Sequence, residues 1–145
     1  MKGLFTLHLL ISGVLCGIIW IIQILHYPLF AHVGEAAFAQ YESLHRTWIS
    51  PLVGPLMVAE LLTGLILLTW RPDGINPYLL WIGAALIGVI WFNTFFQAVP
   101  LHNKLLDGLN PEAVQSLVRV NWIRTIAWTA RLGILGWIVF KLMKE

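Results

Sequence analysis

His26, His45, His102 and Glu60 are residue types that zinc, iron or copper accepts, and each lies in or beside a long apolar stretch. Iron or copper there would bring redox chemistry. A b-type haem held by two of the histidines, or an oxygenase with no cofactor, would serve the same end. The spacing names no metal. There is no HxxxH and no CxxC, and the ligands would come from separate helices and loops. Without a metal, the same groups suit proton transfer. His102, His45 or His26 would act as general base, and Glu60 would set the charge of the pocket or serve as a base. Arg124 and Asn121 would hydrogen-bond a carbonyl or an enolate, with Asn103 beside His102. Gln23, Tyr41, Asn93, Gln97, Trp128 and Arg131 complete the candidate set, as substrate-binding residues. Nucleophilic catalysis has little support. Cys16 has no charged sequence neighbour, no serine sits in a nucleophile elbow, and no glycine-rich phosphate loop is present.

The elements that carry these groups are membrane helices. The chain of 145 residues is 59% apolar and 11% charged, against roughly 25% charged in a soluble domain. Lipid is the place for that much apolar surface. Four segments reach the roughly 20 apolar residues that a spanning helix needs: about 4–27, 51–70, 77–99 and 122–142. The fold class is therefore an all-α bundle of four transmembrane helices, forming one domain over residues 1–145. The first segment, from Leu4 to Leu25, is too long for a signal-peptide core and lacks a small-x-small cleavage site. Leu15 stands before Cys16, where a lipoprotein site needs a small residue. Trp48, Trp70, Trp81 and Trp122 lie near segment ends, as an aromatic belt requires. The net charge of +2 is too small for a nucleic-acid partner, and one cysteine allows no internal disulfide.

The connections are unequal. Residues 71–76 read as a tight turn, while the two long loops fall together on the opposite face. Each long loop is expected to carry a short capping helix. One covers Glu35 to Arg46; the other opens on an N-cap, proline and first-turn acid, Asn110-Pro111-Glu112, and runs from Ala113 to Val120. The halves resemble each other: Trp20 precedes Pro28 by eight residues and Trp91 precedes Pro100 by nine. A duplicated hairpin with parallel repeats would give that pattern. Lys2, Arg71, Lys141 and Lys144 on the terminal face, against Arg46, Lys104 and Arg119 in the long loops and Arg124 just inside the fourth helix, give a narrow balance that leans toward cytoplasmic termini.

Polar residues in lipid are costly, so their placement is informative. His8, Ser12, Gln23 and His26 fall within about 60° of one another on the first helix. Asn121, Arg124, Thr125, Trp128 and Arg131 share a face of the fourth. Glu60 lies about 14 Å below the start of the second. Most of these groups belong to the half nearest the long loops, which predicts a polar pocket under a helical cap. Simpler roles exist for several of them. Glu60 is expected to pair with an arginine, Arg131 being the better depth match and Arg124 the second. Asn93 and Gln97 would serve as interhelical glue. His8 and His32 are background, and Trp20, Trp91 and Trp128 are packing.

Val99-Pro100-Leu101-His102-Asn103-Lys104-Leu105, followed at some distance by Asn121-Trp122-Ile123-Arg124-Thr125, resembles the anthrone-oxygenase-like family of small four-helix membrane proteins. The resemblance implies a four-helix fold and, for members with an assigned role, oxidation of polycyclic anthrones. His102, Asn103, Asn121, Arg124 and Thr125 are the positions that carry over. The chain departs at His102, where asparagine is usual, and around Asn121, where an aromatic residue and then asparagine-histidine often stand. The leading expectation is an oxidoreductase or oxygenase acting on a lipophilic, aromatic or quinone-like molecule from the bilayer. A non-enzymatic module binding a lipid, a quinone or a partner protein is the alternative. A small transporter or channel subunit comes third, and four helices would need to form a homo-oligomer to line a pore.

Overall fold

The computed structural model describes residues 2–144. Four helices are long and apolar enough to cross a membrane: α1 (Lys2–Phe30), α2 (Glu35–Thr69), α3 (Pro77–Leu105) and α4 (Pro111–Leu142). The expected all-α, multi-pass bundle is what forms. Its outer faces carry exposed Leu10, Ile24, Trp48, Trp81, Phe96 and Ile126. Apolar cover of that extent would be a liability in water and suits hydrocarbon.

The helix ends follow the sequence closely. Asn110 caps α4 by accepting the Ala113 N–H at 3.0 Å, with Pro111 in the first turn and Glu112 beside it. Asn76 caps α3 by accepting the Tyr78 N–H at 3.0 Å ahead of Pro77. The short turn before it places Gly74 at φ 81°, in the left-handed region that glycine enters freely.

Two features differ from the expectation. The segments expected as separate capping helices are joined without a break to the spanning helices, and their Phe38, Ala113 and Leu117 are buried in the long-loop end of the bundle. α1 and α3 also continue past Pro28 and Pro100, where stops are expected from the sequence. Each contains one π-helical turn just before its proline, at Ile22–His26 and at Thr94–Ala98. There the Tyr27 N–H reaches Ile22 O, and the Val99 N–H reaches Thr94 O. The wider turn relieves the contact between a proline ring and the carbonyl of the preceding turn. Both π turns begin six residues before the proline. This correspondence fits the duplicated hairpin.

The apolar core has two parts. One, at the long-loop end, includes Phe30, Phe38, Leu105 and Leu117; the other, at the short-turn end, includes Phe5, Leu67, Leu80 and Ile138. Between them lies a buried charged knot. Glu60 Oε1 accepts from Ser12 Oγ at 2.8 Å and Arg131 Nε at 3.2 Å, and Oε2 accepts from Trp128 Nε1 at 3.0 Å. The Arg131 guanidinium also donates to the Gly83 carbonyl and, at 3.0 Å, to His8 Nε2. Because Nε2 must accept there, Nδ1 carries the proton and donates to Thr63 Oγ1 at 2.7 Å. Thr63 in turn donates to the Ala59 carbonyl at 2.7 Å. All four helices are tied by this one knot. Arg131 is thus the partner of Glu60, as depth suggested, and His8, expected as background, is a member.

Removing one ion strands the other in a low-dielectric interior. Glu60→Gln and Arg131→Met alone are each expected to cost about 3–5 kcal/mol, read by unfolding in mild detergent. The double variant Glu60→Leu/Arg131→Met should recover most of that loss.

Candidate functional site

The helix extensions bring the site together. The π turn of α1 carries Gln23 and His26 and hands on to Tyr27. The N-terminal turns of α2 supply Tyr41, Glu42 and His45, α3 beyond Pro100 supplies His102, and α4 supplies Asn121, Arg124 and Thr125. Phe30, fully buried, packs edge-on against His45 at 5.3 Å and Tyr41 at 5.4 Å between ring centroids. It fixes the rings around it.

A chain of hydrogen bonds crosses the bundle. Glu42 Oε1 lies 2.7 Å from His102 Nδ1, and His102 Nε2 lies 2.9 Å from Tyr27 Oη. With Glu42 ionised, Nδ1–H donates to the carboxylate and Nε2 accepts the Tyr27 hydroxyl proton. Arg124 Nη2 donates to the same Tyr27 oxygen at 3.3 Å and to Asn121 Oδ1 at 2.6 Å. Asn121 Nδ2 donates to Gln23 Oε1 at 2.8 Å, and Thr125 adds a bond to that oxygen at 3.4 Å. Gln23 and Asn121 therefore position Arg124. The order Glu42–His102–Tyr27–Arg124 is that of an orienting carboxylate, a proton acceptor, the hydroxyl that loses the proton, and a cation facing its oxygen.

An apolar cavity of about 520 Å³ ends on this chain. Tyr27, His45, Arg46, His102 and Arg124 line it at the long-loop end; Leu15, Ile19, Met57, Trp91 and Trp128 line the remainder. Trp128 faces the cavity while its Nε1–H holds Glu60, so the knot supports the cavity wall. A second cleft, of about 650 Å³, lies between α1 and α2 on the outer side, with His26, Tyr41 and His45 at one end. His45 is the polar residue common to both.

The sequence-derived set is divided by the structure. His102 and Arg124 reach the cavity, and Asn121 stands behind them. Asn103 is exposed and is absent from the cavity lining; it lies one helical residue past His102 and so turns about 100° away. Glu60 is not at this site, because both its oxygens are held in the knot. Of the expected substrate contacts, Trp128 lines the cavity. Gln23 is taken up by Asn121, Arg131 by Glu60, and Tyr41 lines the outer cleft. Asn93 donates to Gln97 at 2.8 Å along α3 itself, so the two are not glue between helices and do not face the cavity.

The expected metal set is corrected as well. His26, His45 and His102 do gather, but His26 Nε2 meets His45 Nδ1 at 2.8 Å, and the His45 and His102 rings stack at 5.3 Å. Glu60 is elsewhere. Among the described residues, no three His, Cys, Asp or Glu side chains converge as a metal site. Tyr27 and Glu42 are the residues that sequence reasoning misses. The signal for Glu42 is its E-x-x-H spacing to His45, which puts both on one helix face. For Tyr27 there is only its place beside His26 and Pro28.

Tyr27→Phe removes one buried hydroxyl from between a guanidinium and an imidazole. It is expected to lower stability in detergent by about 1–3 kcal/mol, whereas the exposed His32→Ala leaves the unfolding midpoint in place. Comparison with protein-family models, with curated proteins and with solved structures finds no match to this chain.

Proposed function

We propose that this chain is a membrane-embedded oxidoreductase of the oxygenase type, acting on a lipophilic aromatic or quinone-like substrate drawn from the bilayer. The observation that carries this reading is the apolar cavity of about 520 Å³ ending on Tyr27, His102 and Arg124, with Glu42 behind His102. A cavity of that size suits a small organic ligand. Its apolar walls hold the rings, and Tyr27 and Arg124 meet a ring oxygen. His102 takes the substrate proton by way of Tyr27 Oη, and Glu42 stabilises the imidazolium that results. Arg124 faces the enolate or phenolate left behind. Dioxygen is the oxidant. For a methylene flanked by aromatic rings, CH2 plus O2 gives C=O plus H2O, which balances atoms and electrons.

The resemblance of Val99–Leu105 and Asn121–Thr125 to the anthrone-oxygenase-like family supports the same reading, since these segments supply Val99, His102 and Arg124 to the cavity. A binding module without turnover is the second reading. It draws on Tyr27 Oη being bonded already to both Arg124 and His102. Oxygen uptake by the purified protein with anthrones and hydroquinones separates the two. His102→Ala is expected to lower the rate by about 10²–10⁴, and Asn103→Ala to leave it unchanged. Saturable binding with no oxygen uptake would select the module.

In this reading both termini are cytoplasmic, following the narrow lean of Lys2, Arg71, Lys141 and Lys144 against Arg46, Lys104, Arg119 and the helix-borne Arg124. Lys144→Cys should then react with an impermeant maleimide in inside-out vesicles and stay unlabelled in right-side-out ones. The reverse pattern inverts the topology.

A further inference from the structure

The cavity has a length as well as a polar end. Its wall runs from His45 to Val58 on α2 and from Trp91 to His102 on α3. At about 1.5 Å per residue these stretches are about 20 Å and about 16 Å long. The groups able to meet a ring oxygen, Tyr27, His102 and Arg124, sit at one end. Beyond them the trough is lined mainly by apolar side chains and tryptophan rings, with Ser50 at its exposed edge and the Thr94 hydroxyl turned back onto the Ile90 carbonyl.

The trough is also open along one side. Ser50, Val58, Phe95 and Val99 line it and are exposed, and they belong to the facing edges of α2 and α3. Gly54 lies between Ser50 and Val58 on the α2 edge, and a Cβ added there would meet nothing within 4 Å. Nearer the short turn the two helices close up. There a Cβ at Gly64 would come within 2.9 Å of the Ile87 side chain. The opening is therefore a slot between α2 and α3, bounded below by the Gly64–Ile87 contact and above by Arg46 and His102, and it faces the bilayer.

We propose that the substrate is a ring lipid: a phenol or hydroquinone ring bearing one long hydrocarbon chain, which dioxygen converts to the quinone with release of water from the phenol or hydrogen peroxide from the hydroquinone. The ring oxygen meets Tyr27. The chain runs past Met57 and Trp128 and leaves through the slot, by Gly54 and Val58, into the membrane. The proposal rests on the ring-binding reading above and adds the substrate class. A chain moving from lipid into an equally apolar trough gains little from the hydrophobic effect. Its role is fit: it fills a trough that a bare ring leaves to lipid acyl chains.

The test uses two benzoquinone probes, analogues of the product, in lipid nanodiscs. One bears a long alkyl chain ending in a diazirine; the other carries the diazirine on the ring and has no chain. After irradiation, labelled residues are mapped by mass spectrometry. The expected result is saturable labelling of Met57, Val58 or Phe95 by the chain-bearing probe, suppressed by an unlabelled long-chain benzoquinone. Gly54→Leu and Gly54→Phe, which place a side chain in the trough, should each lower the ratio of chain-bearing to chainless affinity by about tenfold. Chain labelling at Leu25 or Leu44 of the outer cleft overturns the proposal. An unchanged ratio in both Gly54 variants does so too, as does binding of the chainless probe alone. If neither probe labels saturably, the ring-binding reading fails first and this inference falls with it.

Discussion

A polar side chain in hydrocarbon must find its partners inside the protein, because no water is there to supply them. This bundle meets the constraint in two ways. Around Glu60 and Arg131 the partners are complete: both carboxylate oxygens, the Trp128 indole and both His8 nitrogens are bonded. At the long-loop end they are not. Glu42 Oε2 and Arg124 Nε are buried without a partner among the described residues. A knot with every bond made holds four helices in register. A cluster with bonds left over is where another molecule has something to complete.

The same contrast separates the histidines. His8 lies between a guanidinium that only donates and a threonine whose own proton goes to a carbonyl, so its tautomer is set from both sides. His102 lies between a carboxylate and a phenol. The carboxylate orients the ring, and the ring nitrogen it leaves free accepts from a hydroxyl that has a proton to give. The first suits a fastener and the second suits acid–base work. Trp128 couples the two regions through one side chain, its ring in the cavity wall and its N–H on Glu60.

Much of this was legible in the chain. Apolar runs gave the four helices, Asn110-Pro111-Glu112 gave the start of α4, and depth along the helices paired Glu60 with Arg131. At Pro28 and Pro100 the helices continue where local preference stops them, because a π turn just upstream, which that preference does not encode, makes room for the proline ring. The expected stop hides Tyr27, which lies at that helix end and instead points into the bundle. Glu60 is the acid deepest in an apolar run, yet depth alone does not distinguish a fastener from a site. Glu42 escaped because its stretch read as a loop-bound cap, where an acid is unremarkable. The assignment of Asn103 failed for a simpler reason: neighbours on a helix face different ways.

The two π turns have a further meaning. A π turn is a helix that has taken in one extra residue without changing its ends. Removing one residue from Ile22–His26 would restore an ordinary helix and rotate everything on its N-terminal side by about 100° relative to Tyr27. Gln23, Ser12 and His8 would then lose either Asn121, Glu60 and Arg131 or their alignment with the site. The same holds for Thr94–Ala98 and His102. The site is thus set by a count of residues in α1 and α3 as much as by any side chain. A chain one residue shorter in either helix could keep every polar group named here and still have no site.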